Sequence, residues 1–307
     1  MYKLHLVYQS QSLTACLNFP DDRSEKARIV TFECVGGARD VATPKRIFGA
    51  TLIKQFNVPM LHVIPHQDYW YQERDLSECL EALRPYLAEN AFAYGSSMGA
   101  YAVARFADSL GLNRGLALSP RYSVDPILAP WSIAPYRKVN HITFRYDHNR
   151  PARKAKLFQL YDPLLKVERQ HADLVAAEGP VQTVLIPGAG HPVGPALREC
   201  GLLKELVRAH LEDREDATAF QKLVDKRLPE TSFALMQRAD DLPEQEKLHL
   251  LAKALEMNPL NPTLRRRCAA ALEKIGQDHG AQLMRATPRR AQDLPVLHAT
   301  LIKAAAR

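Results

Sequence analysis

Through the first two-thirds of the chain, short apolar runs alternate with amphipathic stretches. Leu4 to Tyr8 and Leu13 to Phe19 read as two strands with a polar turn, Gln9 to Ser12, between them. Such a pair is predicted to form a hairpin. Arg28 to Cys34 is a β-branched run ending at Gly36-Gly37, and Met60 to Ile64 is a further strand closed by Pro65. Phe48 to Gln55 reads as a short helix. Leu76, Cys79, Leu80, Leu83 and Leu87 recur at helical spacing and predict a helix over Leu76 to Leu87. Ala91 to Tyr94 reads as a strand, Gly99 to Leu110 as a helix, and Gly115 to Leu118 as a strand ended by Ser119-Pro120. Strands alternating with helices imply a largely parallel sheet with both faces covered.

Residues 121–156 break the rhythm. They hold four prolines, Trp131 and one strand-like piece, His141 to Tyr146, and read as a small cap insert over the sheet edge. Periodicity resumes with Lys156 to Tyr161 (strand), Glu168 to Ala177 (helix), Val181 to Ile186 (strand) and Pro195 to Leu211 (helix). A charge-rich linker, Glu212 to Asp216, follows, and beyond it only helical patterns remain. The expected organisation is an α/β domain over 1–212 and a helical region over 213–307. Within that region Lys247 to Gly276 has a helix ending at Asn258-Pro259 and a second opening at Pro262, with small residues where two helices must approach. This resembles one tetratricopeptide-type helical pair, with degenerate partners at Ala217 to Arg227 and Leu294 to Ala306. Such a pair cannot bury its apolar face alone.

Composition narrows the class without naming a chemistry. Of 307 residues 46% are hydrophobic and 24% charged, ordinary for a globular protein, and the net charge of +7 is a mild basic bias. No zinc-finger, RNA-recognition or basic-zipper pattern accompanies it, so nucleic acid is not the expected partner. The five cysteines, Cys16, Cys34, Cys79, Cys200 and Cys268, are odd in number and show no CxxC spacing. That excludes a disulfide framework or zinc cluster and fits reduced thiols in the cytoplasm. Met1 to Tyr8 lacks the basic and apolar regions of a signal peptide, and no run reaches the roughly 18 apolar residues of a bilayer span. No metal or nucleotide cofactor is expected, because Gly36-Gly37 is not a G-x-G-x-x-G and no Walker motif occurs.

The string Gly95-Ser96-Ser97-Met98-Gly99 carries the chemistry. It is a G-x-S-x-G centred on Ser97, with an apolar strand before it and an amphipathic helix after it. A nucleophilic serine there sits on a sharp, strained turn. Glycines flank it because a side chain would collide with strand or helix. The N-terminus of the next helix aims backbone N–H groups at a developing oxyanion, Met98 N–H being one donor.

On this elbow, a loop histidine and the strand spacing, Leu4 to Leu211 resembles the α/β-hydrolase superfamily, whose order is nucleophile, acid, histidine. The resemblance implies a general base in the loop after the last strand, here Pro187-Gly188-Ala189-Gly190-His191-Pro192, so His191 is the expected base. It implies an acid after the preceding strand. Asp162, directly after Tyr161, is favoured; Glu168 competes six positions on, and Asp147 is a third choice. The second oxyanion donor is expected in the loop after Arg28 to Cys34, at Cys34, Val35 or Gly36, with Val35 chosen. This sequence reads Glu33-Cys34-Val35-Gly36 there instead of the frequent His-Gly pattern. Cys34 as nucleophile lacks a local basic partner. Among the other histidines, His62 lies inside a strand, His66 just after it, His171 on a helix and His249 in the tail. Asp68-Tyr69-Trp70-Tyr71-Gln72 follows a strand at the sheet's carboxyl edge and reads as a substrate wall or as packing.

The expected activity is a serine hydrolase cleaving an ester, thioester or amide through an acyl-enzyme on Ser97, acting on a small-molecule or acylated substrate. An acyltransferase using the same three residues is the alternative. A different class is a scaffold protein whose helical tail binds a protein partner.

Overall fold

The computed structural model describes residues 2–20, 26–42, 46–132, 139–286 and 294–305. Contacts divide the chain into two compact units, 1–195 with 203–221 and 196–202 with 222–307. In chain order the elements are β1 (Tyr2–Gln9), β2 (Leu13–Pro20), β3 (Ala27–Phe32), α1 (Ala50–Phe56), β4 (Met60–Pro65), α2 (Leu76–Leu83), β5 (Leu87–Ser96), α3 (Met98–Phe106) and β6 (Arg114–Leu118). They continue with β7 (Lys156–Tyr161), α4 (Lys166–Ala177), β8 (Val181–Leu185), α5 (Gly194–Glu199), α6 (Leu202–Leu211), α7 (Ala217–Arg227), α8 (Ser232–Arg238), α9 (Glu244–Met257), α10 (Pro262–Lys274), α11 (Asp278–Arg285) and α12 (Leu294–Ala305).

The first unit is built on one eight-stranded sheet in the order β1-β2-β4-β3-β5-β6-β7-β8. β2 pairs antiparallel with both β1 and β4, and every pairing from β4 to β8 is parallel. This is the mostly parallel sheet expected from the alternation of strands and helices. Strand side chains alternate between faces, so neighbouring residues report which helices cover each side. On one face Ala93 and Leu157 join the buried cluster that contains α2 and α3 residues such as Leu80 and Val103. On the other, the rings of Phe92 and Phe158 stand 5.3 and 5.1 Å from His210 of α6. Burial on both sides explains why β4 is apolar throughout except at His62.

Three local departures from the sequence expectation have simple causes. The helix over Leu76 to Leu87 stops at Leu83, where Pro85 turns the chain into one 3-10 turn and β5 begins at Leu87. The stretch Pro195 to Leu211 is two helices, because Gly201 takes a left-handed conformation (φ 74°) between α5 and α6. His141 to Tyr146 is no strand: the place beside β6 is taken by β7. The amide of Tyr146 instead donates to Gln72 Oε1 at 3.0 Å. Part of the cap insert, 133–138, lies outside the described residues.

The second unit is helical. α9 ends at Asn258, and Asn261 caps α10, its Oδ1 accepting from Thr263 N and Leu264 N, with Pro262 at the first helical position. Buried Arg265 donates to the carbonyls of Met284 and Ala286, satisfying the end of α11. A Cβ on Gly280 would lie 2.9 Å from Thr300, so glycine lets α11 and α12 approach. Among the described residues no helix is long and apolar enough to cross a membrane, and no group of three His, Cys, Asp or Glu side chains could hold a metal ion.

Candidate active site

Parallel strands deliver the ends of β3, β5, β6, β7 and β8 to one edge of the sheet, and the site is assembled there. Ser97 follows β5 directly with φ 55° and ψ −113°, a conformation non-glycine residues rarely adopt. Its amide donates to Leu118 O at the end of β6 (2.9 Å), and its carbonyl accepts from Tyr101 N (3.0 Å), so strand and helix both hold the turn. The flanking glycines are sterically required. A Cβ at Gly95 would lie 2.3 Å from the backbone of Gly99, and one at Gly99 would lie 2.3 Å from Phe32 O. Met98 is the first residue of α3, so its N–H is at the positive end of the helix.

His191 and Ser97 are brought together. Ser97 Oγ lies 2.8 Å from His191 Nε2. On the other side of the ring, His191 Nδ1 lies 2.8 Å from Glu168 Oε1. The carboxylate belongs to the first turn of α4 and is buried, with a side chain 1% exposed. Burial alone would raise its pKa. The hydrogen bond and charge of His191, together with the Arg121 guanidinium, outweigh that and hold Glu168 below the ordinary carboxylate value.

Asp162, the acid favoured from the sequence, does not meet His191. It accepts from the amides of Gly188 (3.1 Å) and Gly190 (2.8 Å), in the loop that carries His191, and from Leu164 N (3.0 Å). The correction has a steric reason. A short aspartate directly after the strand reaches backbone at its own level. A glutamate one helical turn further on reaches across to the imidazole. Asp147 is elsewhere too: it accepts from Tyr101 Oη (2.5 Å) and Ser123 Oγ and pairs with Arg150 at 2.8 Å.

Val35 lies in the turn that runs from Cys34 to Gly37, with its side chain exposed. The neighbouring amide of Gly36 points to Asp68 Oδ1 at 3.2 Å. Burial, with Glu33 close by, pushes the Cys34 thiol up. His62 is a core residue: its Nδ1 meets Thr31 Oγ1 at 2.6 Å, and burial pushes the imidazole down to about 4. His66 is held by Thr14 Oγ1 (2.8 Å) and Gln11 O (2.9 Å) near the hairpin turn. In the aromatic string, Trp70 and Tyr71 are buried packing, Tyr71 Oη donating to Glu33 O at 3.0 Å. Tyr69 instead stacks near His141 (centroids 5.2 Å apart) on a cleft of about 550 Å³ shared with Glu73 and Arg145.

Beside the set, Ser119 and Arg121 were given no role from the sequence, and His171 was read only as a histidine on a helix. Ser119 Oγ accepts from Val193 N at 3.1 Å, fastening the far end of the His191 loop to the end of β6. Arg121 Nη2 lies 3.1 Å from Glu168 Oε1, both side chains buried. His171, one turn beyond Glu168, accepts from Tyr122 N (3.1 Å) and meets Ser132 Oγ (2.9 Å), and Trp131 stacks on it at 4.5 Å. Burial first, and then the charges of Arg121 and His191, push its imidazole down to about 2, so it stays neutral. Ser119 and Arg121 carry one signal in the sequence: they follow the last residue of a central strand, at the edge where ligands bind.

The chain matches no protein-family model and no curated protein. Among solved structures it is similar to an esterase from Pyrococcus furiosus (17% identity over 69% of this chain and 92% of that one, TM-score 0.44). It is also similar to a dienelactone hydrolase from Anabaena variabilis (16% identity over 69% and 95%, TM-score 0.42). A third is acetyl xylan esterase 1 from a Thermoanaerobacterium species (11% identity over 69% and 88%, TM-score 0.45). These are distant likenesses of backbone path, and the reading of the site rests on its own distances.

Proposed function

We propose that the first unit is a serine hydrolase that cleaves an ester, thioester or amide through an acyl-enzyme on Ser97. The observation that supports this reading is the unbroken chain of two 2.8 Å contacts, Ser97 Oγ to His191 Nε2 and His191 Nδ1 to Glu168 Oε1, on a strained strand-to-helix turn.

In this reading His191 Nε2 takes the hydroxyl proton as Ser97 Oγ bonds to the substrate carbonyl carbon. Glu168 holds the ring with its proton on Nδ1 and stabilises the imidazolium that forms. The carbonyl oxygen becomes an oxyanion facing the N–H of Met98, with a backbone amide of the 34–36 turn, Val35 as the sequence reading has it, as the second donor. His191 then gives its proton to the leaving alcohol, thiol or amine as the carbonyl–heteroatom bond breaks. Water attacks the acyl-enzyme by the same route in reverse, its proton passing to His191 and then to Ser97 as the acid leaves. The Ser97 proton leaves with the alcohol, thiol or amine and a proton from water replaces it, so the cycle restores the starting enzyme.

The test is labelling of the full-length protein by a fluorophosphonate probe. The wild type is expected to label stoichiometrically and Ser97→Ala not at all. Labelling that persists in Ser97→Ala overturns the assignment. Product analysis with and without an acceptor alcohol then separates hydrolysis from acyl transfer.

A further inference from the structure

We propose that Arg121 is a positioning residue of this site, holding Glu168 as a shared acceptor and so setting the pH at which the His191–Glu168 pair takes up a proton. This rests on reading Ser97, His191 and Glu168 as a catalytic set.

One oxygen does two jobs. Glu168 Oε1 accepts from His191 Nδ1 at 2.8 Å and lies 3.1 Å from Arg121 Nη2. The Arg121 and Glu168 side chains are 5% and 1% exposed, so water screens the pair weakly. A carboxylate dedicated to one imidazole would stabilise the imidazolium fully. Here a permanent cation sits on the same atom. It keeps the buried carboxylate ionised, and it repels a second positive charge on the ring. Both effects delay proton uptake by the pair as pH falls, whichever member takes the proton.

The other groups facing the pair do not supply this charge. His171, from α4, is neutral. Asp162, from the β7–α4 loop, is an acid and not a cation, and it is engaged by the amides of Gly188 and Gly190. Arg169 points away, to Pro163 O. From the 119–132 segment, Ser119 faces the carboxylate as a neutral hydroxyl, and Asp125 pairs with His148 at 2.7 Å. Arg121 is the cation that touches the acid.

The charge sits against the oxygen that His191 Nδ1 meets, so its removal is read on the acid limb of the labelling rate. The experiment is the rate of fluorophosphonate labelling from pH 4.5 to 9 for the full chain and for Arg121→Gln, Arg121→Lys, Glu168→Gln and Arg121→Gln/Glu168→Gln. Arg121→Gln keeps a donor for Glu168 and removes the charge. Its acid limb is expected to move up by about one unit, a roughly tenfold loss on the limb, with the alkaline plateau little changed. Arg121→Lys is expected to keep the wild-type limb. The double variant is expected to keep part of the upward shift relative to Glu168→Gln alone, because the cation acts on the ring through space as well as through the carboxylate. An equal loss at every pH with the limb unmoved marks a merely structural arginine and overturns the proposal. So does a limb that Arg121→Gln leaves unmoved in the Glu168→Gln background, a comparison that remains readable if the single Arg121 variant does not fold. Failure of the catalytic reading shows separately, as absence of Ser97-dependent labelling in the wild type.

Discussion

Asp162 and Glu168 stand six residues apart on one segment, both buried at the same edge of the sheet, and they have different work. Asp162 ends a strand and is satisfied by backbone: three amides donate to it, two of them from the loop that carries His191. Glu168 opens a helix and meets side chains, an imidazole and a guanidinium, both at Oε1. The first shapes the loop, and the second touches the ring that the loop presents. A buried carboxylate must be compensated in either case, but only compensation by a titrating group couples it to chemistry.

The largest break in this comparison is Glu168→Gln. It keeps the volume and removes the charge that stabilises an imidazolium. Labelling at neutral pH is expected to fall on the order of 10³-fold or more, with the thermal midpoint changed far less. Asp162→Ala should show the reverse balance. It leaves the half-buried amides of Gly188 and Gly190 without an acceptor, which costs on the order of 1 kcal/mol. The expected result is a clearly lowered denaturation midpoint with only about tenfold slower labelling, from a looser His191. If Asp162→Ala proves the more damaging to labelling at unchanged stability, the two roles are exchanged.

The smallest expected effect concerns His171, one helical turn beyond Glu168 on α4. Its imidazole is pushed down to about 2 in the folded protein, against an ordinary value near 6.5. Between those values the unfolded chain binds one more proton at this position. Stability therefore falls as pH falls from about 6.5, by at most ~1.4 kcal/mol per pH unit from this group. His171→Asn is expected to flatten the acid-side decline in thermal midpoint relative to wild type. An unchanged slope would show that His171 is not the group responsible.

The legible parts were those whose cause is local. The β-hairpin, β7 and the elbow follow from alternation, from flanking turn residues and from glycines that no other side chain can replace. His191 was legible because a small-residue loop after the last strand leaves a ring free to cross the edge. The choice between Asp162 and Glu168 was not. Both lie within reach in sequence, and a separation of six residues does not show which side chain points at a ring more than twenty residues away in the chain. Arg121 was invisible for the same reason: as a residue type after a strand it is unremarkable until α4 brings Glu168 against it.

The amino-acid sequence by itself determined the turn that exposes Ser97, since Gly95 and Gly99 admit no Cβ and the strand and helix beside them follow from periodicity. It also placed Ser97 and His191 at one edge of a parallel sheet. Only the tertiary structure decided which carboxylate meets His191 and which cation meets that carboxylate. Those choices depend on side-chain reach across β6, β7 and α4, elements that meet through the sheet and not along the chain.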